Sequence, residues 1–238
     1  MRYERQILMK EIGEEGQNRL KNSKVTVIGA GGLASPVLTY LACAGVGTIT
    51  LIDYDTVSES NLNRQFLYHE NDMGMNKAEL AGDVLNSLNS QITINPVSER
   101  IDGENIGKII SGADVVIDCV DNVETRLIVN RECIKQDIPL VEGGVYGFYG
   151  FVMSVKRDFP CLECIGYGNT KLKRPGPVLG AVVGVIGSLQ AVECIKILLG
   201  LDDVLYGKML NYDGLSVSFD LVELQRNDLC EVHGLLKG

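Results

Sequence analysis

Two kinds of hydrophobic pattern alternate along the first 144 residues of the chain. Short runs rich in β-branched residues, such as KVTVIG, TITLID and ADVVIDC, predict strands, because these residue types favour extended backbone. The longer segments between them, such as SPVLTYLACAG, NKAELAGDVLNSLN and NVETRLIVNRECIKQ, have the polar and apolar spacing of helices. Strands that recur between helices require crossover connections, so the pattern predicts an α/β fold with a doubly wound, mostly parallel sheet.

The pattern changes after Gly143. The segments GFYGFVMSVK, GKMLNYDG and LSVSFDLVEL are typical of antiparallel strands, and they flank an apolar helix predicted at about residues 180 to 199. We expect these strands to extend the same sheet, since no linker, internal repeat or low-complexity tract separates the two parts of the chain. The sequence therefore predicts a C-terminal antiparallel extension of the parallel sheet and a single domain over residues 1–238.

A glycine-rich turn follows the first predicted strand. The residues GAGGLA place Gly29, Gly31 and Ala34 in a G-x-G-x-x-A pattern between that strand and the first long helix. Glycines let the backbone approach a phosphate closely, and the helix N-terminus offers free N–H groups to anionic oxygen. Asp53 ends the second strand, where an acidic residue commonly accepts hydrogen bonds from a ribose hydroxyl. These features predict a Rossmann-like adenine-nucleotide site, and a packing turn without a ligand is the alternative.

Charged and amide side chains follow the predicted strands at the same edge of the sheet. They are Asn61, Arg64 and Gln65 beyond the second strand, Lys77 at the start of the following helix, and Asp118, Asp121 and Asn122 at the end of the fourth strand. Ligands of open α/β sheets bind at this edge. Two cations together with carboxylates favour ATP with magnesium over a nicotinamide cofactor, which needs no metal. Each residue taken singly is equally well explained as a solvated surface charge.

Two short motifs in the second half of the chain contain possible metal ligands. Cys161 and Cys164 are three residues apart in CLEC, and Cys230 and His233 have the same spacing in CEVH. The two pairs have the spacing expected for the two halves of one metal site. A lone surface histidine beside a buried thiol is the alternative.

Composition and charge limit which partners the protein is expected to bind and in which cellular compartment it is expected to lie. With 31 acidic and 22 basic side chains, the net charge is -9, which disfavours nonspecific binding of nucleic acid or of an anionic membrane. The N-terminal segment has charges throughout and no apolar core of the signal-peptide type, so we expect a cytoplasmic protein. Its seven cysteines then indicate thiols or metal ligands rather than disulfides. Gln190, Glu193 and Lys196 interrupt the longest apolar run, which predicts a buried or interface helix.

Nine short motifs together resemble a known family. In chain order they are RYERQ, GAGGLA, IDYD, SNLNRQ, NKAE, DCVDN, CLEC, GVIGSLQAVE and CEVHG, and their order and rough spacing are those of the ThiF/MoeB/HesA adenylyltransferases. These enzymes are similar to the adenylation domains of ubiquitin-activating enzymes, and the resemblance covers nearly the whole chain. It implies a homodimer that uses ATP to adenylylate the C-terminal glycine of a small ubiquitin-fold sulfur-carrier protein ending in Gly-Gly (ThiS/MoaD-like), with release of pyrophosphate.

The resemblance also implies a role for each candidate site residue. Arg64 and Lys77 would hold the phosphates, Asp121 would bind magnesium, and Asp53 would bind the ribose. Gly32 would belong to the phosphate-binding turn together with Gly29 and Gly31, and Asn61 and Gln65 would orient the chain. Asn122 is expected to be among the nucleotide-site residues, and Arg5 would reach the active site of the other subunit. Relatives carry a structural zinc on two C-x-x-C pairs. Here the second pair has lost a cysteine, so Cys161, Cys164, Cys230 and His233 are the expected ligands. The implied division is an N-terminal helix in 1–22, a nucleotide-binding part in 23–143 and a zinc- and carrier-binding part in 144–238.

One departure from the family concerns the segment before the apolar helix. Some relatives have a cysteine there that attacks the acyl-adenylate, and the corresponding position falls near Lys173, in a segment without cysteine. We therefore expect an acyl-adenylate product and no stable covalent link to the carrier. Three other interpretations stay open from sequence: an NAD-type oxidoreductase, a nucleotide-binding regulatory module without turnover, and an adenylating tRNA-modifying dehydratase. The identity of the carrier and its pathway also stays open.

Overall fold

Eight strands form one mixed sheet in the computed structural model of the protein, which describes residues 2–169, 176–227 and 229–234. The strands are β1 (Lys24–Ile28), β2 (Thr48–Ile52), β3 (Thr93–Val97), β4 (Val115–Asp118), β5 (Leu140–Tyr146), β6 (Tyr149–Val155), β7 (Lys208–Asp213) and β8 (Ser218–Glu223). The helices are α1 (Glu4–Ile7), α2 (Gly13–Asn22), α3 (Ala34–Ala44), α4 (Lys77–Leu88), α5 (Ile106–Ile109), α6 (Val123–Gln136), α7 (Gly180–Leu199) and α8 (Glu231–Gly234).

The strand order is β3-β2-β1-β4-β5-β6-β7-β8. The pairs from β3 to β5 are parallel, and the pairs from β5 to β8 are antiparallel. The predicted fold class is therefore confirmed, including the antiparallel extension. Because β1 lies between β2 and β4, the chain reverses its direction of winding there, and ligands of such sheets bind at the carboxyl ends of these central strands.

Helices cover both faces of the parallel strands, as the buried β-branched runs require. One hydrophobic core contains side chains from α3, α4 and α7 packed on β1 and β2. A second core on the other face contains α5, α6 and the segment around Cys161. The turn between β1 and α3, the end of β4 and the start of α6 consequently meet at one edge. The predicted division of residues 1–238 into three functional parts stays a prediction.

Helix α7 is a core helix despite its composition. By length and composition it could cross a membrane, but half of its apolar stretch is buried inside the protein. It packs closely on α3, because a methyl group added to Gly187 would lie 2.4 Å from Pro36 Cγ and 2.5 Å from the Leu33 carbonyl oxygen. This packing agrees with the buried helix that the sequence predicts.

Candidate functional site

A cavity of about 260 Å³ opens at the carboxyl ends of β1, β2 and β4. The predicted nucleotide-site residues that line it are Gly29, Gly31, Gly32, Asp53, Arg64, Gln65, Lys77, Asp121 and Asn122. These residues come from five separate stretches of the chain, and the sheet topology brings them together. Asn61 and Arg5 are not among the lining residues.

Two glycines of the turn on the cavity floor have no room for a side chain. Gly29 has a φ of +95°, and a Cβ there would lie 2.9 Å from the Cys119 carbonyl oxygen. A Cβ on Gly32 would lie 2.9 Å from Val183 Cγ1 and 3.3 Å from Arg64 Cδ. Only glycine therefore lets the turn close against the end of β4 and against the stem of Arg64.

Asp53 and Lys77 form the wall of the cavity at the end of β2. Asp53 Oδ2 accepts a hydrogen bond from the Ala30 N–H at 2.7 Å, which ties the glycine-rich turn to β2. Burial raises the pKa of the Asp53 carboxyl, while the N–H groups of Ala30 and Asp55 and the charge of Lys77 oppose that shift. Lys77 is only 5% exposed, and its Nζ lies 3.4 Å from Asp55 Oδ2. An ammonium group this buried is weakly hydrated, so it attracts an anionic ligand strongly.

Arg64 and Gln65 are presented by a short 3₁₀ turn, Glu59–Asn61. Arg64 Nη1 donates to the Ser60 carbonyl oxygen and to Asn63 Oδ1, each at 2.9 Å. Gln65 is buried, and its Oε1 has no hydrogen-bond partner among the described residues. Asn61 acts on the turn itself, because its Oδ1 accepts the Ser58 N–H at 3.1 Å. Asn61 thus orients the chain that carries Arg64 and Gln65 without reaching the cavity.

Asp121 and Asn122 follow β4 at the cavity rim. Asn122 Oδ1 accepts the Thr125 N–H at 2.9 Å and so caps α6, while the neighbouring Asp121 is exposed. Asp118 differs from both, because it is fully buried and its Oδ2 lies 4.0 Å from Arg126 Nε. Asp118, which the sequence also offers as a carboxylate suited to magnesium, does not line the cavity. Asp121 is left as the carboxylate of this segment that faces the cavity.

A buried ionic cluster behind Asp121 was not predicted from the sequence. Arg126 donates from Nη1 to Glu142 Oε2 at 2.7 Å and to the Gly143 carbonyl oxygen at 2.8 Å, and from Nη2 to the Val120 carbonyl oxygen at 2.6 Å. Burial raises the pKa of the Glu142 carboxyl, repulsion from Asp118 adds to the shift, and Arg126 opposes it. The guanidinium joins the segment that follows β4 to the middle of β5, and Arg126 also lines the cavity.

Aromatic and charged side chains complete the cavity wall. Tyr54, Arg100, Tyr146 and Tyr167 all line it, and the Arg100 guanidinium lies 5.7 Å from the centre of the Tyr54 ring. The position of Tyr54 directly after Asp53 was a usable signal in the sequence. No sequence pattern identifies Tyr167 as a cavity residue. It follows the CLEC motif, and only the folding of that loop brings its side chain to the cavity.

The four predicted metal ligands, here called the Cys₃His cluster, meet beside α6. The ligand atoms of Cys161, Cys164, Cys230 and His233 all lie within 4.8 Å of one another. Cys161 Sγ is 3.8 Å from the Sγ atoms of both Cys164 and Cys230. His233 is buried, and neither ring nitrogen has a hydrogen-bond partner among the described residues. Burial raises the pKa of Cys161 to about 12 and lowers that of His233. Three thiols and an orphaned imidazole fit a tetrahedral zinc ion.

Arg5 lies at the opposite edge of the sheet from the cavity. Its helix α1 is attached through Gln6, whose Nε2 donates to the Ala44 carbonyl oxygen at 2.8 Å. Ala44 ends α3, whereas the cavity lies at the start of α3, about 16 Å away for a helix of eleven residues. Arg5 is exposed and does not reach the cavity of its own chain. The position near Lys173, where relatives have a loop cysteine, lies outside the described residues.

Comparison with known proteins places these features in a family. The model of the ThiF family matches residues 3–232. The SAMP-activating enzyme E1 of Haloferax volcanii is 39% identical over 241 residues, which cover 98% of this chain and 88% of that protein. The molybdopterin-synthase adenylyltransferase of Escherichia coli is 40% identical over 239 residues, which cover 98% of this chain and 96% of that protein.

Solved structures of the same fold include one with a nucleotide. The crystal structure of E. coli MccB with ATP matches with a TM-score of 0.85 and 27% identity, covering 97% of this chain and 74% of that chain. The crystal structure of MccB with succinimide matches with a TM-score of 0.86 at 27% identity, covering 98% of this chain and 74% of that chain.

Proposed function

The chain belongs to the ThiF family and is an adenylyltransferase, and we propose that it uses ATP to activate the C-terminal glycine carboxylate of a small ubiquitin-fold sulfur-carrier protein. The observation that carries this proposal is the cavity that combines the glycine-rich turn with Arg64, Lys77 and Asp121. Relatives that are 39 and 40% identical over almost the whole chain are named as an activating enzyme and as an adenylyltransferase. The first line of support is the geometry of the cavity, and the second is sequence similarity to enzymes of this class.

The reaction requires two anions to meet. A carrier carboxylate oxygen attacks the α-phosphorus of ATP, a new O–P bond forms, and the bond from the α-phosphorus to its bridging oxygen breaks, so that pyrophosphate leaves with the electron pair. Positioned cations are the main catalytic device, because negative charge grows on the leaving group. In this proposal Lys77 and Arg64 hold the phosphate oxygens, and the glycine-rich turn with the N-terminus of α3 binds them through backbone N–H groups.

Two acidic side chains complete the proposed nucleotide site. Asp53, which the Ala30 N–H holds in place, would bind the ribose, and Asp121, with Asn122 beside it at the cavity rim, would hold magnesium. Magnesium supplies charge neutralisation between the phosphate groups when it is bound. We also propose a cytoplasmic homodimer in which Arg5 reaches the cavity of the partner, since its helix is attached far from the cavity of its own chain and Arg5 does not line that cavity.

We propose that the Cys₃His cluster holds a structural zinc ion, which joins the segment 229–234 to the loop of Cys161 and Cys164. Supporting this, the four ligand atoms converge, and both nitrogens of His233 are buried without a described partner. A site with four protein ligands leaves no open position, so the metal stabilises the fold and takes no part in the chemistry.

Elemental analysis of freshly purified protein is expected to find about one zinc ion per chain. The Cys161→Ser variant should lose the metal, because a hydroxyl is a far weaker zinc ligand than a thiolate, and His233→Ala should retain it less tightly. Cys43→Ser is the matched control, since Cys43 is exposed and outside the cluster. A metal-free wild type, or undiminished zinc in Cys161→Ser, contradicts the assignment.

The proposed activity is tested by exchange of labelled pyrophosphate into ATP. Exchange should require a ubiquitin-fold carrier that ends in Gly-Gly, and a carrier that lacks the last glycine is the matched control. Exchange with a small carboxylate and no carrier would instead favour the tRNA-modifying dehydratase. ATP binding without any exchange would favour a regulatory module, and a bound nicotinamide cofactor would favour the oxidoreductase.

A further inference from the structure

The loop from Cys161 to Tyr167 is attached to α6 at three positions. Each attachment pairs a side chain of α6 with a loop residue: Asn130 with Leu162, Arg131 with Glu163, and Arg126 with Tyr167. The second of these is bidentate, at 2.6 and 3.2 Å. The loop that supplies half of the Cys₃His cluster is therefore held along the helix that begins beside Asp121.

The ring of Tyr167 takes its position from this loop. The Tyr167 N–H donates to the Leu162 carbonyl oxygen at 3.1 Å, and the Cys164 N–H donates to the Cys161 carbonyl oxygen at 3.0 Å. The second bond closes a tight turn between the two cysteines, and the first spans five residues of the same loop, so the backbone position of Tyr167 is linked to that of the two cysteines. The ring makes an edge contact with Phe151 at 6.2 Å between centres and faces the Arg126 guanidinium at 5.6 Å.

Arg126 connects that ring to the nucleotide cavity. Its guanidinium binds the Val120 carbonyl oxygen, and the next residue in the chain is Asp121, the proposed magnesium ligand. Arg126 and Tyr167 both line the cavity as well. An arginine that faces an aromatic ring is stabilised in place by attraction to the ring face, and more strongly so when the pair is desolvated. Loss of the ring would therefore loosen Arg126 and the segment of Asp121.

We infer that Tyr167 is a positioning residue that couples occupancy of the Cys₃His cluster by metal to nucleotide binding. The inference rests on the proposed function, in which the cluster holds zinc and the cavity holds ATP. Metal orders the loop, the loop places Tyr167 against Arg126, and Arg126 holds the segment that carries Asp121. Coupling of two binding equilibria is reciprocal, so ATP must raise the affinity for zinc by the same factor by which zinc raises the affinity for ATP.

The test measures both affinities on the same preparations. The dissociation constant for ATP with magnesium is determined for wild type with its metal and after removal of the metal by a zinc-selective chelator. We expect the ATP affinity to be about 5 to 10 times weaker after the metal is removed. Equally, the zinc affinity should be about 5 to 10 times higher when ATP is saturating. Tyr167→Leu should keep its zinc, bind ATP as weakly as the depleted wild type, and show no effect of ATP on zinc affinity. Tyr167→Phe keeps the ring and should behave as wild type.

Phe159→Leu is the matched control for removal of an aromatic ring near the same loop. Phe159 stacks on Tyr206 at 5.2 Å between ring centres and not on Arg126, so both affinities should stay unchanged. Equal ATP affinity with and without metal, or coupling that survives in Tyr167→Leu, overturns the inference. If removal of the metal unfolds the protein, the ATP affinity of the zinc-bound Tyr167→Leu variant provides the test. An ATP affinity equal to that of the wild type would then overturn the inference. A wild type that carries zinc but does not bind ATP rejects the proposed function itself.

Discussion

Replacement of Asp121 by asparagine is expected to lower carrier-dependent pyrophosphate exchange at least about 100-fold. Asparagine keeps the size of the side chain but removes the negative charge that the proposed magnesium ion needs. Asp121 is exposed at the cavity rim, whereas the other carboxylate of this strand end, Asp118, is buried beside Arg126. Asp118 therefore cannot take the place of Asp121 at the cavity.

Glu124→Gln is the matched control for this loss. Glu124 is an exposed carboxylate in the first turn of α6, three residues after Asp121, and it does not line the cavity. It should keep exchange within about twofold of wild type, since surface charges act weakly at a distance in salt solution. Initial rates at saturating ATP and carrier distinguish the two variants. An Asp121→Asn enzyme that keeps most of its exchange activity would remove Asp121 from the proposed magnesium site.

Mixed dimers are expected to regain activity when one subunit carries Arg5→Ala and the other Asp121→Asn. In the proposed symmetric dimer each cavity combines Asp121 of one chain with Arg5 of the other, because isologous contacts are reciprocal. Both variant homodimers should then be nearly inactive. Unfolding and refolding equal amounts together makes about half of the dimers mixed, and each mixed dimer has one intact cavity, so about a quarter of wild-type exchange should return.

The same measurement separates action within one chain from action between chains. If Arg5 served the cavity of its own subunit, every cavity in the mixture would lack one residue, and exchange would stay at background. Lys10→Ala is the control for loss of a cation from the N-terminal segment, since Lys10 is exposed and pairs only with its neighbour Glu11 among the described residues. Light scattering of the refolded mixture verifies that dimers are present, and a monomeric wild type would reject the proposed arrangement.

The sequence alone was sufficient to predict the elements and the chemistry that depend on local pattern. Runs such as KVTVI and VVID became buried parallel strands, because β-branched apolar residues in short stretches have few other ways to be covered. Gly29 was recognisable because the G-x-G-x-x-A pattern reflects a backbone property of the turn itself, and Gly32 was recognisable through the family resemblance. The four members of the Cys₃His cluster were also recognisable, since the spacing within each pair identifies candidate ligands before the pairs meet.

The tertiary structure decided which polar groups share an environment. In the sequence, Asp118 and Asp121 are two carboxylates at one strand end. Pairing of β4 with β5 places Glu142 beside Asp118, and the packing of α6 brings Arg126 there, whereas Asp121 stays at the cavity rim. Arg126 and Tyr167 are 41 positions apart, and no periodicity connects them. Their contact exists because the loop of Cys161 folds onto α6, and burial of a charge depends on which elements pack around it. Local pattern determines the elements, whereas partners across the sheet determine the electrostatics of the site.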